Sequence, residues 1–350
     1  MNQRKLRAFC AGMLMTALLL RVLTAAGFTA AFGSAVKQTL KSPEFASGML
    51  SLAVGQEVEP VSEPAAVTVY PLRVTHSSPP EPVLPEPPAS APSLPPFTQE
   101  EAAAITVSGA CSYPVDRSSL LLRPSALDFS GEGPKILIVH THSSEAYTQE
   151  AGFFYEESDE LRTLDSGCSV IRIGSCIADI LNEAGIETLH DTALNDYPNY
   201  SGAYDRMKAT IDSYLAQYPS IRMVLDIHRD AAEDADGSPV ALCSRVDGER
   251  CAQLMLVIGT DEGGLSHPGW EENLANALKL QAILNRDAPG LCRSIDLRTE
   301  RFNQHETPGS MLVEFGATGN TLSEALLSAE IFAQALCEFV EALPFSPPQT

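Results

Sequence analysis

From Pro134 onward the sequence alternates short, continuously apolar runs with longer stretches of helical period, and this alternation restricts the fold more than any other feature. Lys135 to His140, Ile221 to Ile227, Leu254 to Ile258 and Met311 to Phe315 read as buried strands. Continuous rather than alternating hydrophobicity is the mark of a parallel sheet covered on both faces. Between the runs, Val170, Ile173, Ile177, Leu181 and Ala184 fall at helical spacing and stop at Gly185, the residue type that closes a helix in a left-handed turn. A second helix is expected from about Ala203 to Gln217, ended by Pro219, and a third from about Trp270 to Asn285. A fourth begins at the capping box Thr321-Leu322-Ser323-Glu324, with Leu322, Ala325, Ala329, Ala333 and Leu336 as its stripe. Strands alternating with helices predict an α/β fold, a mostly parallel twisted sheet with helices on both faces in a three-layer sandwich.

The chain upstream has a different texture. Residues 1–33 open with Arg4, Lys5 and Arg7, run apolar from Ala8 to Leu20, meet Arg21 and resume apolar to Phe32. This is a signal or membrane anchor whose start faces the cytoplasm and whose downstream chain lies outside. A retained anchor is favoured, with Ala25, Ala26 and Ala30 leaving a cleavage site open. Residues 60–96 hold twelve of the 25 prolines and carry almost no periodic apolar pattern. Such a segment behaves as a semi-extended spacer, at about 3 Å per residue reaching on the order of 100 Å from the membrane. The expected organisation is an anchor over 1–33, a linker over 34–132, a catalytic domain over 133–341 and a tail over 342–350, with 99–132 readable either as linker or as a piece packed on the domain.

Lys and Arg total 23 against 45 Asp and Glu, a formal charge of −22, which is the wrong sign for gripping phosphate backbones and argues against nucleic acid as a partner. The eight cysteines form no C-x-x-C pair, so neither a zinc ribbon nor a dense disulfide scaffold fits, and they read as small core residues.

Three of the seven histidines sit at or just past expected strand ends: His140, His142 and His228. Ligand sites in open α/β sheets gather at that edge. His142, Glu145 and His228 supply three imidazole and carboxylate donors, the number a catalytic zinc site uses while leaving a place for water. Asp226 and Asp230 flank His228 as groups that can fix its tautomer, although alternation along the strand can turn Asp226 to the opposite face. The run Val313-Glu314-Phe315-Gly316 buries a carboxylate in an apolar strand, and burial raises its pKa toward the range of a general base for bound water. His267 and His305 lie on loops that can line a cleft. Gly259 to Gly264 lacks the lysine and spacing of a phosphate loop, and there is no G-x-S-x-G elbow for a serine hydrolase. The residues by themselves thus describe an exported, metal-dependent hydrolase.

Several segments in order also resemble a known family. They are Lys135-Ile-Leu-Ile-Val-His-Thr-His-Ser-Ser-Glu-Ala-Tyr147, His190-Asp-Thr, Asp196-Tyr-Pro-Asn-Tyr-Ser-Gly-Ala-Tyr204, Val224-Leu-Asp-Ile-His-Arg-Asp230, Gly259-Thr-Asp, His267-Pro-Gly-Trp-Glu-Glu-Asn273, and Phe302-Asn-Gln followed by Thr307-Pro-Gly-Ser-Met-Leu-Val-Glu-Phe-Gly316. From about 133 to 341 the chain is similar to the stage II sporulation protein P family, membrane-anchored cell-wall hydrolases related to zinc-dependent N-acetylmuramoyl-L-alanine amidases. The resemblance implies an amidase-like sandwich and cleavage of the amide between N-acetylmuramic acid and L-alanine in peptidoglycan, with an added endopeptidase action on cross-links. It further implies work on the septal wall during engulfment in sporulation, extracytoplasmically between two membranes, with stage II sporulation proteins D and M as partners.

Carried over residue by residue, the resemblance implies Zn²⁺ on His142 and His228 with Glu314 as the catalytic carboxylate. Related amidases supply their third ligand ahead of the first long helix, where this chain reads Thr163-Leu164-Asp165-Ser166-Gly167-Cys168. The role therefore moves to Glu145, with His140 as the rival ligand, and Asp226, Arg229, His140 and His267 as supporting or substrate-facing groups. Two other functions fit the same residues: a non-catalytic peptidoglycan-binding module that recruits hydrolases, and a zinc carboxypeptidase confined to the stem peptide.

Overall fold

A computed structural model describes residues 96–343; the expected membrane anchor, the proline-rich spacer and the last seven residues of the tail lie outside them. Among the described residues no helix is long and apolar enough to cross a membrane. In chain order the elements are α1 (Gln99–Ala104), β1 (Val107–Ser108), α2 (Arg117–Leu122), β2 (Ile136–Val139), β3 (Glu157–Asp159), β4 (Arg162–Thr163), α3 (Val170–Glu183), β5 (Thr188–His190), α4 (Ala203–Gln217), β6 (Met223–Asp230), β7 (Cys243–Val246), β8 (Glu249–Ala252), β9 (Leu254–Gly259), α5 (Trp270–Asp287), β10 (Ile295–Arg298), a 3₁₀ turn (Gln304–Glu306), β11 (Met311–Ala317) and α6 (Leu322–Glu341). Seven strands form one sheet in the order β1-β10-β9-β11-β6-β2-β5, and β3/β4 and β7/β8 are separate two-stranded ribbons. Every pairing in the main sheet is parallel except β9 with β11.

The helices form where the apolar stripes predict them. Thr321 caps α6 with its hydroxyl accepting from Glu324 N while the Glu324 carboxylate accepts from Thr321 N, so both halves of the capping box are present. Gly185 takes φ 82 just after α3, as its place behind the last apolar residue required. The seven described cysteines are unpaired.

Side-chain parity divides the sheet into two unlike faces. Ile136 and Ile138, Leu225 and Ile227, Leu254, Leu256 and Ile258, Ile295 and Leu297, and Val313 and Phe315 all turn into one large core, which also takes in the buried stripes of α3, α5 and α6. On the opposite face one corner is packed by a helix: Leu137, Val139 and Val224 lie under Met207 and Ile211 of α4. Beyond that corner the same parity presents Asp226, His228 and Asp230 on β6, Leu312 and Glu314 on β11, and Asp296 and Arg298 on β10. The expectation of helices on both faces thus holds for the corner under α4, while the rest of that face is a floor of charged side chains interrupted by Met255, Val257 and Leu312.

Residues 99–132 pack on the domain. β1 joins the sheet edge against β10, Ala102, Ile105, Leu120 and Leu121 belong to the main core, and Arg286 pairs with Glu101. The expected boundary at 133 therefore falls inside the packed structure. The apolar content of this stretch is sparse, and its burial depends on the partner surface offered by α5.

Candidate active site

The polar floor lies in a cleft of about 800 Å³ lined by His142, Glu145, Tyr204, His228 and Glu314, and extending to Arg298 and Phe302. His142 and Glu145 come from the turn that follows β2. That turn is pinned by Asp196, whose carboxylate accepts from Ser143 Oγ (3.0 Å), Ser144 N (3.1 Å) and Ser144 Oγ (2.7 Å), and by Asn195, which donates to Thr141 O at 2.8 Å. Buried polar groups need such partners, and here they fix a loop that no apolar contact would hold.

His142 is 9% exposed. Its ring stacks on Tyr200 (centroids 4.4 Å apart, planes 6° apart) and meets Tyr204 edge-on at 5.6 Å. Its Nε2 lies 3.1 Å from the Tyr200 hydroxyl, and its Nδ1, 3.9 Å from Asp196 Oδ2, has no hydrogen-bond partner. Burial holds its pKa below the ordinary histidine value, outweighing the nearby carboxylates.

His228 is the centre of a charged row. Its Nδ1 is 3.3 Å from Glu145 Oε2, and its Nε2, 2.9 Å from Asp226 Oδ1, is enclosed and makes no hydrogen bond. Burial opposes its protonation, but Asp226 and Glu145 outweigh that cost and raise its pKa well above the ordinary value. Asp226 is held in turn by Thr141, which donates from N at 2.8 Å and from Oγ1 at 2.5 Å. Burial pushes the Glu145 carboxyl up, yet His228, Arg229 and His142 together bring it below the usual carboxylate range. Arg162 adds a cation 3.6 Å from Glu145 Oε1 and 2.8 Å from Asp196 Oδ2, with its guanidinium 4.9 Å over the Tyr200 ring.

Glu314 lies in register beside His228 on β6 and Met255 on β9. Its Oε2 is enclosed without a hydrogen-bond partner. Burial raises its pKa to about 8, with Glu145 and Asp230 adding to the rise and His228 opposing it. Among the described residues no three His, Cys, Asp or Glu side chains stand as a ready-made metal-holding group.

A profile of the family described as Stage II sporulation protein P (SpoIIP) matches residues 89–337. The chain belongs to the SpoIIP family. The Stage II sporulation protein P of Bacillus subtilis (strain 168) is 24% identical over 220 residues, which is 60% of this chain and 52% of the relative. The SpoIIP chain described here thus spans about half the length of the curated relative it matches. Among solved structures it is similar to an N-acetylmuramoyl-L-alanine amidase of Nostoc punctiforme at 15% identity and TM-score 0.33, over 60% of this chain and 97% of that one. An apo N-acetylmuramyl-L-alanine amidase of Mycobacterium abscessus gives 14% and 0.36, over 60% and 98%. The CwlD amidase of Clostridioides difficile, solved with the GerS lipoprotein, gives 13% and 0.34, over 60% and 95%.

Within this SpoIIP chain the four principal residues named from sequence, His142, Glu145, His228 and Glu314, meet in one cleft, and the supporting assignments divide. His140 has no nitrogen free to serve as the rival ligand: Nδ1 is 3.1 Å from Ile227 O and Nε2 is 2.8 Å from His190 Nε2. His267 is buried beside His305, with ring centroids 6.3 Å apart, and is not among the residues lining the cleft. Arg229, expected as a supporting or substrate-facing group, takes the supporting role at the edge of the cleft. It is 6% exposed, donates from N to Glu145 Oε2 (3.2 Å) and from its guanidinium to Ala146 O and Leu161 O (3.0 and 3.1 Å), and so braces the Glu145 turn. Asp226 shares the face of His228, because β6 continues through His228 and residues two apart point the same way. Arg162, Asp196 and Tyr200 escaped the sequence reading. Asp196, Tyr200 and Tyr204 lay within a quoted segment without a role, and a polar cluster between two predicted elements was the available signal.

Proposed function

We infer that this chain is a peptidoglycan hydrolase of sporulation that cleaves the amide between N-acetylmuramic acid and L-alanine, using zinc held by His142, Glu145 and His228. The observation that carries this reading is the convergence of two imidazoles and two carboxylates on one open sheet face, with His142 Nδ1 and Glu314 Oε2 left unpartnered. A nitrogen, nitrogen, carboxylate donor set suits a borderline cation, and unpaired buried polar atoms are costly unless something else satisfies them. Membership of the SpoIIP family supports the substrate and the setting.

In this reading zinc, when bound, supplies Lewis acidity and a water of lowered pKa. Glu145 is oriented for its task by Arg229 N and by Arg162. Asp226 sets its charge 2.9 Å from His228 Nε2, and Tyr200 stacks on His142 to fix its plane. Glu314, set beside His228 with its Oε2 unpartnered, is placed to take a proton from water at its carboxylate and to deliver it to the leaving amine. An N-terminal membrane anchor, an extracytoplasmic location and stage II sporulation proteins D and M as partners complete the proposal.

Mass spectrometry of muropeptides after incubation with the full chain tests it. Release of the intact stem peptide, dependent on zinc, is the expected result. Trimming of the peptide from its carboxyl end would establish a carboxypeptidase, and binding without any product a recruitment module.

A further inference from the structure

The cleft continues well past the groups described above. Register pairs Glu314 with Met255 and Leu312 with Val257, and the next strand sets Asp296 opposite Val257 and Arg298 opposite Gly259. With strands about 4.8 Å apart and about 3.3 Å per residue along each, Asp296 and Arg298 lie on the order of 12–17 Å from Glu314. An extended peptide advances about 3.3–3.6 Å per residue, so the floor is long enough for roughly three to five residues.

One wall of this extension is a row of rings. Tyr204 is 5.6 Å from His142 and 5.7 Å from Phe302, and the Arg298 guanidinium stands 5.8 Å from the Phe302 centroid. Phe302 and Asn303 adopt φ 47 and 60, a left-handed conformation that a bulky side chain takes only when its surroundings impose it. Asn303 Nδ2 donates to Tyr204 O at 2.8 Å, tying this turn to α4 and holding the Phe302 ring between Tyr204 and Arg298.

The two arginines at the far end differ in what they have left to offer. Arg293 donates Nη1 to Asp230 Oδ2 at 2.7 Å. Arg298 stands over Phe302 and faces two carboxylates at ion-pair distance, Asp296 at 3.5 Å and Glu300 at 3.4 Å, and its enclosed Nε has no hydrogen-bond partner. Its side chain is 40% exposed. A guanidinium fork in that condition suits bidentate binding of a carboxylate, while Asp296 beside it suits a neighbouring ammonium.

We propose that Arg298, with Asp296 beside it, is a specificity site for the distal part of the substrate peptide, taking a residue with a free carboxylate two or three positions beyond the bond that is cleaved. This rests on the peptidoglycan reading above. The test is calorimetric binding of the free tripeptide L-Ala-γ-D-Glu-diaminopimelate to the full chain, against the same tripeptide with the carboxylates of its third residue amidated. Wild type is expected to bind the acid at least about tenfold more tightly; Arg298→Gln is expected to erase the preference with an unchanged melting temperature, and Arg298→Lys to keep part of it. Equal binding of acid and amide by wild type, binding of neither, or a preference that survives Arg298→Gln overturns the proposal. The wild-type comparison needs no variant to fold. Digestion of whole peptidoglycan separates the two readings: an acid preference without hydrolysis defeats the amidase assignment, and hydrolysis without a preference defeats Arg298.

Discussion

Glu314 and His228 stand directly opposite one another across the parallel β11–β6 ladder, on the sheet face that no helix covers at this point. The pairing puts a carboxyl whose pKa is raised to about 8 next to an imidazole whose pKa is also raised. The two shifts share a cause in part. Glu145 and Asp226 hold His228 charged, while Glu145 and Asp230, with burial, keep Glu314 from ionising at its ordinary value.

Glu314→Gln is expected to lower hydrolysis by about 10²–10⁴-fold, the usual loss for a general base, with bound zinc unchanged. Activity and metal content measured on one preparation check this, and loss of both together would make Glu314 a ligand instead.

The same substitution makes a stability prediction for the metal-free protein. The unfolded carboxyl ionises near 4.5 and the folded one near 8, so between these values the folded state binds more protons and wild-type stability falls as pH rises. Glu314→Gln removes that dependence. Denaturant melts of chelator-treated protein at pH 5 and 8 should show the variant gaining on wild type at the higher pH, and a constant gap would refute the burial argument.

Zinc content should separate the two candidate histidines of the turn after β2. His142→Ala, Glu145→Ala and His228→Ala are each expected to lose most of the metal. His140→Asn should retain it, because both nitrogens of His140 are engaged elsewhere. Stoichiometric zinc in a folded His142→Ala protein would overturn the ligand set.

Acid should weaken the fold through the His140–His190 pair. Burial lowers the two pKa values to about 3 and about 4, the second ring adding to the effect at His140. The unfolded rings take up protons near 6.5 while the folded ones refuse them, so stability is lost as pH falls from about 6.5 toward 4. A smaller loss over that window in His190→Gln would be the signature, read from denaturant midpoints at pH 7 and 5.

Gly174 lies inside α3, where alanine would ordinarily be the better helix former by about 1 kcal/mol. A Cβ there would stand 2.6 Å from His140 Nε2 and 2.6 Å from His190 Nε2. Gly174→Ala is therefore expected to destabilise by about 1–3 kcal/mol, the range for overpacking, despite its helix preference. Equal or greater stability by denaturant titration would show that the histidine pair yields.

What the sequence alone determined was what local periodicity carries: the class of the fold, the four main strands, the four long helices with the Gly185 and Thr321 caps of the first and last, and the proximity of His142 and Glu145 within one turn. Shorter pieces such as β1 and β10 were not legible, since two to four half-polar residues make no pattern until a neighbouring strand pairs with them. Strand ends also misled. The apolar run stops at Ile227, but β6 continues through Asp230, and only that continuation puts Asp226, His228 and Asp230 on a shared face with Glu314. Burial was legible for Glu314 and not for Arg229, because a charge can enter the interior wherever backbone carbonyls receive it, and those carbonyls come from distant turns. Which histidine keeps a free nitrogen, which arginine reaches the cleft, and which side of the sheet stays open are set by contacts between segments far apart in the chain, and therefore by the tertiary structure.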